Sequence, residues 1–246
     1  MTPIFRRLKR SGFNLRFTYH ADAILLQDFS VAVGELDQIV GANKIPVAEI
    51  VGGGGGEALG TQRLRRALHA EGWRKGIFRV EKKINDRTTF AQSHEIDHVK
   101  EFEAGTIALE IEWNNKDPFF DRDLENFGRL HADGAISVGV IVTRGDTLQA
   151  GIEERIRAFA LHEGIASFEN LERFGVVPTS RQRRGVSRLM QGGKRSFPDA
   201  WAACFVRDKF GTATTHWTKL ESRLDRGVGS PCPVVAVGIP LTCITD

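Results

Sequence analysis

Cysteine is scarce: three residues in 246, Cys204, Cys232 and Cys243, an odd number without regular spacing. That argues against a disulfide framework or a zinc site and fits a reducing compartment. Long apolar runs are missing too. None approaches the roughly 18 residues of a membrane span. The basic stretch 1–16 is not followed by an apolar signal core, so a cytoplasmic protein without a membrane partner is expected. Net charge is only +3, too little for bulk charge to identify a partner. A run of five glycines, Gly52 to Gly56, lacks the Gly-Lys-Ser/Thr or Gly-x-Gly-x-x-Gly context of a nucleotide-binding loop. A hinge or a close approach to a ligand's backbone suits it better. No internal repeat and no clear linker divide the chain, so residues 1–246 read as a single domain.

What is present is ordinary for a globular protein in bulk, with 41% hydrophobic and 26% charged residues, and unusual only in how charge is arranged. Residues 95–127 carry ten acids against three bases, and residues 173–226 carry twelve bases against four acids. One folded unit with an acidic strip and a basic stretch suits a polyanion held near metal ions; two ordinary solvated faces give the same pattern.

Periodicity predicts α/β architecture. Thr61 can cap a helix that ends near Gly72. Strand-like alternation covers 77–83, 88–102 and 107–113, with a bend at Ala104-Gly105 making the last two a hairpin. Pro118 suits the first turn of a helix running to about His131, with Phe119, Phe120, Leu124, Phe127 and Leu130 inward. Residues 135–142 read as a buried strand, 148–161 as an amphipathic helix, 176–198 as a basic loop or arm, 199–206 as a helix and 234–239 as a last buried strand.

The chemistry concentrates in residues 95–144. Glu110 and Glu112 are two apart on one strand and share a face, while Leu109 and Ile111 point the other way. The hairpin sets Asp97 opposite them. Converging carboxylates repel unless neutralised, and a hard divalent cation such as Mg²⁺ does that. Asp97, Glu110 and the backbone carbonyl of Ile111 are the expected metal ligands, with Glu112 holding or deprotonating an attacking water. Spacing alone also allows a solvent-exposed acidic sheet face.

Asp97 followed by Glu110-Ile111-Glu112 resembles the PD-(D/E)xK nuclease pattern, with Glu112 in place of the usual final Lys and Ile96 in place of the Pro. An acid at that last position is similar to the BamHI type of restriction endonuclease. The string LEIEWNNKDPFFDRDL from Leu109 to Leu124 resembles the BglII-like family of type II restriction endonucleases. So do ISVGVIVTR from Ile136 to Arg144, and Thr214-Thr215-His216 with Lys219. The likeness is strongest over 94–148.

The resemblance implies a restriction-endonuclease-like core, a central mixed β-sheet flanked by helices. It also implies a Mg²⁺-dependent type II restriction endonuclease acting as a homodimer on double-stranded DNA. BamHI-type sites add an acid from an upstream helix, for which Glu49 is preferred here and Glu57 is the alternative. BglII-type sites carry an amide where Glu112 stands.

Candidate DNA contacts follow from residue chemistry. Asn114, Asn115 and Lys116 leave the catalytic strand, although a polar turn capping the next helix explains them equally. Arg144 ends the next strand, with pairing to Asp146 as the competing reading. Arg181, Arg183, Arg184 and Arg188 lie on the basic arm 176–198, which can order on binding. Thr214, Thr215, His216 and Lys219 combine hydroxyls with cations. A repair or recombination nuclease of the same fold, or a non-catalytic DNA-binding protein, are the alternatives.

Overall fold

The computed structural model describes residues 4–52, 56–193 and 195–246; Gly53 to Gly55 of the glycine run and Lys194 lie outside the described residues. The strands are β1 (Asn14–Phe17), β2 (Ile45–Pro46), β3 (Arg74–Ile84), β4 (Arg87–Phe102), β5 (Gly105–Glu112), β6 (Val138–Arg144), β7 (Val234–Ile239) and β8 (Ile244–Thr245). Six of them form one mixed sheet in the order β1-β7-β6-β5-β4-β3, and β2 pairs with β8 apart from it. The centre, β5-β6-β7, is parallel, and both flanks are antiparallel. Parallel neighbours need a crossover, which a helix supplies between β5 and β6. The architecture is the expected mixed sheet flanked by helices.

The helices are α1 (Arg6–Arg10), α2 (Ala21–Asp28), α3 (Ser30–Ala42), α4 (Val47–Val51), α5 (Leu59–Ala70), α6 (Phe119–Ala132), α7 (Asp146–His162), α8 (Ser180–Met190), α9 (Phe197–Lys209) and α10 (Trp217–Asp225). Ile107, Leu109 and Ile111 of β5 join the core built with α1–α5 and α7–α9, including Leu8, Leu64, Ile152 and Trp201. Ala108 joins a second core on the opposite face, formed with Phe120, Leu124 and Phe127 of α6 and with Trp217 and Leu220 of α10. Glu110 and Glu112 have the parity of Ala108, so strand alternation turns them toward α6.

Two local devices place the acids. The β4–β5 hairpin closes on Glu103-Ala104, with Phe102 opposite Gly105. Farther along β4 the register slips: Gly76 faces Ile96, yet Arg74 faces Val99, so Lys75 of β3 opposes both Asp97 and His98. Such a bulge re-aims side chains and is common beside active sites. On β6, an added Cβ at Gly139 would stand 2.3 Å from the Phe127 ring, so this glycine lets α6 lie against the sheet. Gly139→Ala forces that ring aside and should lower stability by about 1–3 kcal/mol, read as a fall in the urea midpoint at unchanged m-value.

Several boundaries differ from expectation, each for a local reason. Residues 176–198 are not a loop throughout: α8 starts on a capping box in which Thr179 and Gln182 satisfy each other's backbone N–H, and it buries Val186. Helix α9 starts at Phe197 on a second capping box, from Ser196 and Asp199. Helix α5 begins two residues ahead of Thr61, after Ala58. Strand β6 starts at Val138, because the Ala135 N–H closes the end of α6 on the Leu130 carbonyl. Among the described residues no helix is long and apolar enough to cross a membrane. All three cysteines are free and buried.

Candidate active site

Glu110 leaves β5 toward α6 and is 3% exposed. Asp97 stands near it across the hairpin, close enough to raise its carboxyl. Asp97 itself is exposed, so the pair spans from solvent into the protein. Glu112, two residues on, is buried as well and accepts a hydrogen bond of 2.7 Å from Asn115 Nδ2. Its other neighbour is Asp123, a fully buried acid on α6 whose charge raises it. Arg122, stacked over the Phe119 ring, bonds Asp123 at 2.7 Å and stands 3.8 Å from Glu112.

Asp123 is the site residue that sequence reasoning missed. A signal existed: Asp123 lies three residues after Phe120 and four before Phe127, inside the apolar stripe of α6. An acid in that phase is buried by the helix that carries it.

Electrostatics marks the group as a unit. Burial, followed by repulsion from Asp123, pushes the Glu110 carboxyl up to about 10. The same two causes, in the same order, raise Glu112 to about 8. Asp123 is raised too, by burial first, and its Oδ2 is buried without a hydrogen-bond partner. Without a cation these acids keep protons that ordinary carboxylates release. Among the described residues no three Asp, Glu, His or Cys side chains stand ready-made around one cation position. The donors are nonetheless all oxygens, one of them orphaned, which fits a hard divalent cation.

The other expected residues sit as follows. Glu57 pairs with Arg65 at 3.0 Å and lines the cavity that Asp97 borders. Glu49 is paired with Arg63 at 2.6 Å and does not line that cavity. Asn114 and Asn115 border the cavity, and Lys116 is exposed.

Arg144 pairs with neither solvent nor Asp146. It is wholly buried and donates to the Trp113 carbonyl, Gln149 Oε1, Thr214 Oγ1 and the Thr215 carbonyl at 2.5–2.7 Å. Thr215 and His216 are also buried, and burial lowers His216 to about 4, keeping it neutral. With Thr214 they line the strand's exit: the Thr215 N–H donates to the Asn115 carbonyl at 2.8 Å. Arg144, expected to meet DNA, spends its donors inside the protein, whereas Thr215 Oγ1 and both His216 ring nitrogens are buried without a hydrogen-bond partner among the described residues. Lys219 is held 3.3 Å from Asp117.

On α8, Arg183 stacks over Phe168, while Arg181, Arg184 and Arg188 are exposed at spacings of three and four that align them on one face.

The sequence profile of the restriction endonuclease BglII/BglIII family matches residues 13–239. No curated protein matches the chain.

Proposed function

The chain belongs to the restriction endonuclease BglII/BglIII family, and we propose that it cuts double-stranded DNA with Mg²⁺ held by Asp97, Glu110 and the Ile111 carbonyl. Membership makes it a type II site-specific deoxyribonuclease, a hydrolase of phosphodiester bonds in a family that generally uses divalent metal ions. The observation that carries the site assignment is the closeness of Asp97 to Glu110 beside the buried Glu112–Asp123 pair. Bound Mg²⁺ polarises phosphoryl oxygens and lowers the proton affinity of water.

The chain's own residues do the rest. Glu112, ionised once the cation is bound beside it, would accept the proton of the attacking water. Asn115 holds Glu112 in place. As the water oxygen bonds to phosphorus, a P–O bond to the sugar breaks. Glu57 is the better placed of the two upstream acids to complete the group: both are ion-paired, but Glu57 lines the cavity that Asp97 borders and Glu49 does not.

Duplex DNA is met by the exposed cations Arg181, Arg184 and Arg188 on α8 and Lys116 at the strand's exit, with the half-buried amide of Asn114 beside it. A homodimer suits the task, each copy cutting one strand of a two-fold symmetric site. Incubation with plasmid and Mg²⁺ should give discrete bands that vanish with chelator. A smear, a preference for branched substrates, or no scission defeats the proposal.

A further inference from the structure

A cavity of about 430 Å³ opens beside Asp97, bordered by Glu57, Arg65, His69, Lys75, Asp97 and His98. It adjoins the proposed cation site, and two features of its wall, neither of them an acid, point to a ligand. His98 is 2% exposed, yet among the described residues neither ring nitrogen has a hydrogen-bond partner of good geometry. An imidazole there has a ring N–H to donate. Lys75 reaches the same wall from β3, opposite the bulge that carries Asp97 and His98. Among the described residues its one ion pair, with Glu95 at 2.6 Å, is more than half exposed on both sides, a kind of pairing worth little. Asp97 and Glu110 also attract its charge.

Lys75, His98 and Asn114 line one space, with Asn115 beside them donating to Glu112. Such a donor set recognises an anion with several oxygens. The acid at the rim, Asp97, belongs to the pair proposed to hold the cation, so the anion it tolerates is one that shares that cation.

We propose that this cavity seats a phosphate group of the DNA strand being cut, and that Lys75 is a catalytic residue there, with His98 donating to the same phosphate. The inference rests on the DNA-cleavage reading. As water adds to phosphorus and the P–O bond to the sugar breaks, charge grows on the remaining phosphorus oxygens, and the Lys75 ammonium lies against it. Lys75 keeps its proton throughout; the water proton goes to Glu112 and the departing oxygen takes one from solvent. Preorganised cations aimed at developing charge are worth about 100- to 1000-fold in rate.

The test uses the full chain and the plasmid site that the wild type cuts. Lys75→Met should lower kcat about 100-fold or more. Its thermal midpoint and its affinity for the same duplex in Ca²⁺ should stay close to wild type. Lys75→Arg should recover at least about tenfold of the loss, while Glu95→Gln should cut like wild type. Titration with inorganic phosphate should shift the His98 ring nitrogens in ¹⁵N spectra of the wild type and much less in Lys75→Met. If Lys75→Met and Glu95→Gln fall alike, Lys75 serves only its ion pair and the inference is lost. It is lost equally if Lys75→Met cuts at the wild-type rate, or if phosphate leaves His98 unmoved. A wild type that cuts nothing defeats the functional reading instead, and the phosphate titration still judges the cavity.

Discussion

Glu110→Gln should abolish cleavage, by about 1000-fold or more in kcat, the upper end of what a single preorganised charged group supplies. It should also make the metal-free protein more stable. Both effects come from one property. In the folded chain Glu110 is buried, beside Asp97, Asp123 and Glu112, so holding a negative charge there is costly. The amide keeps the size of the acid but never bears the charge that a divalent cation requires. Function is lost and the electrostatic cost goes with it, the trade-off expected of a strained active site. Affinity for duplex DNA in the absence of cleavage should hold or rise slightly, because phosphate contacts come from other residues and one acid near the polyanion is gone. Cleavage assays in Mg²⁺, gel-shift titration and thermal unfolding without metal read the three quantities. A Glu110→Gln protein that cuts within tenfold of the wild type removes Glu110 from the chemistry.

The strands around this acid could be read from the chain because their signals are local. Alternation along 107–113 and a small-residue bend fixed the β4–β5 hairpin and, with it, which carboxylates share a face. What was hidden depended on packing between distant segments. Arg144 sits at a strand end, where exposure was a fair expectation; only the arrival of Thr214 and Thr215 beside Trp113, seventy residues later, buries it. The bulge at Asp97-His98 leaves no compositional trace, since it is a mismatch in register between β3 and β4. Residues 176–198 misled for a different reason. Their Gly, Ser and Arg content masked a helix whose single buried anchor, Val186, is too sparse to create a periodic pattern. Its Thr179-x-x-Gln182 capping box was the legible sign. Asp123 was one acid among ten in a strip, and only its phase within α6 set it apart.

Stability without metal should fall as pH rises from about 5 to 9, and Mg²⁺ should restore more of it at high pH than at low. Glu110 and Glu112 are raised from the usual 4.5 to about 10 and about 8. Below pH 4.5 both the folded and the unfolded chain hold these protons, and the two acids are neutral to the balance. Above it, the unfolded chain releases them while the folded chain retains them. The folded state then binds more protons, and unfolding free energy declines with pH until the folded groups ionise. A divalent cation binds the ionised acids, so it expels those protons and reverses the decline. Thermal midpoints at pH 5, 7 and 9, each with and without Mg²⁺, give the slopes. Calorimetry in buffers of different ionisation enthalpy counts the protons released. Asp123→Asn sharpens the test, because Asp123 is the strongest charged neighbour of both glutamates. Removing its charge should flatten the pH slope of the metal-free protein and shrink proton release on Mg²⁺ binding. A wild-type protein that gains stability from pH 6 to 9 without metal, or whose Mg²⁺ response ignores pH, contradicts a buried acid cluster built around a cation.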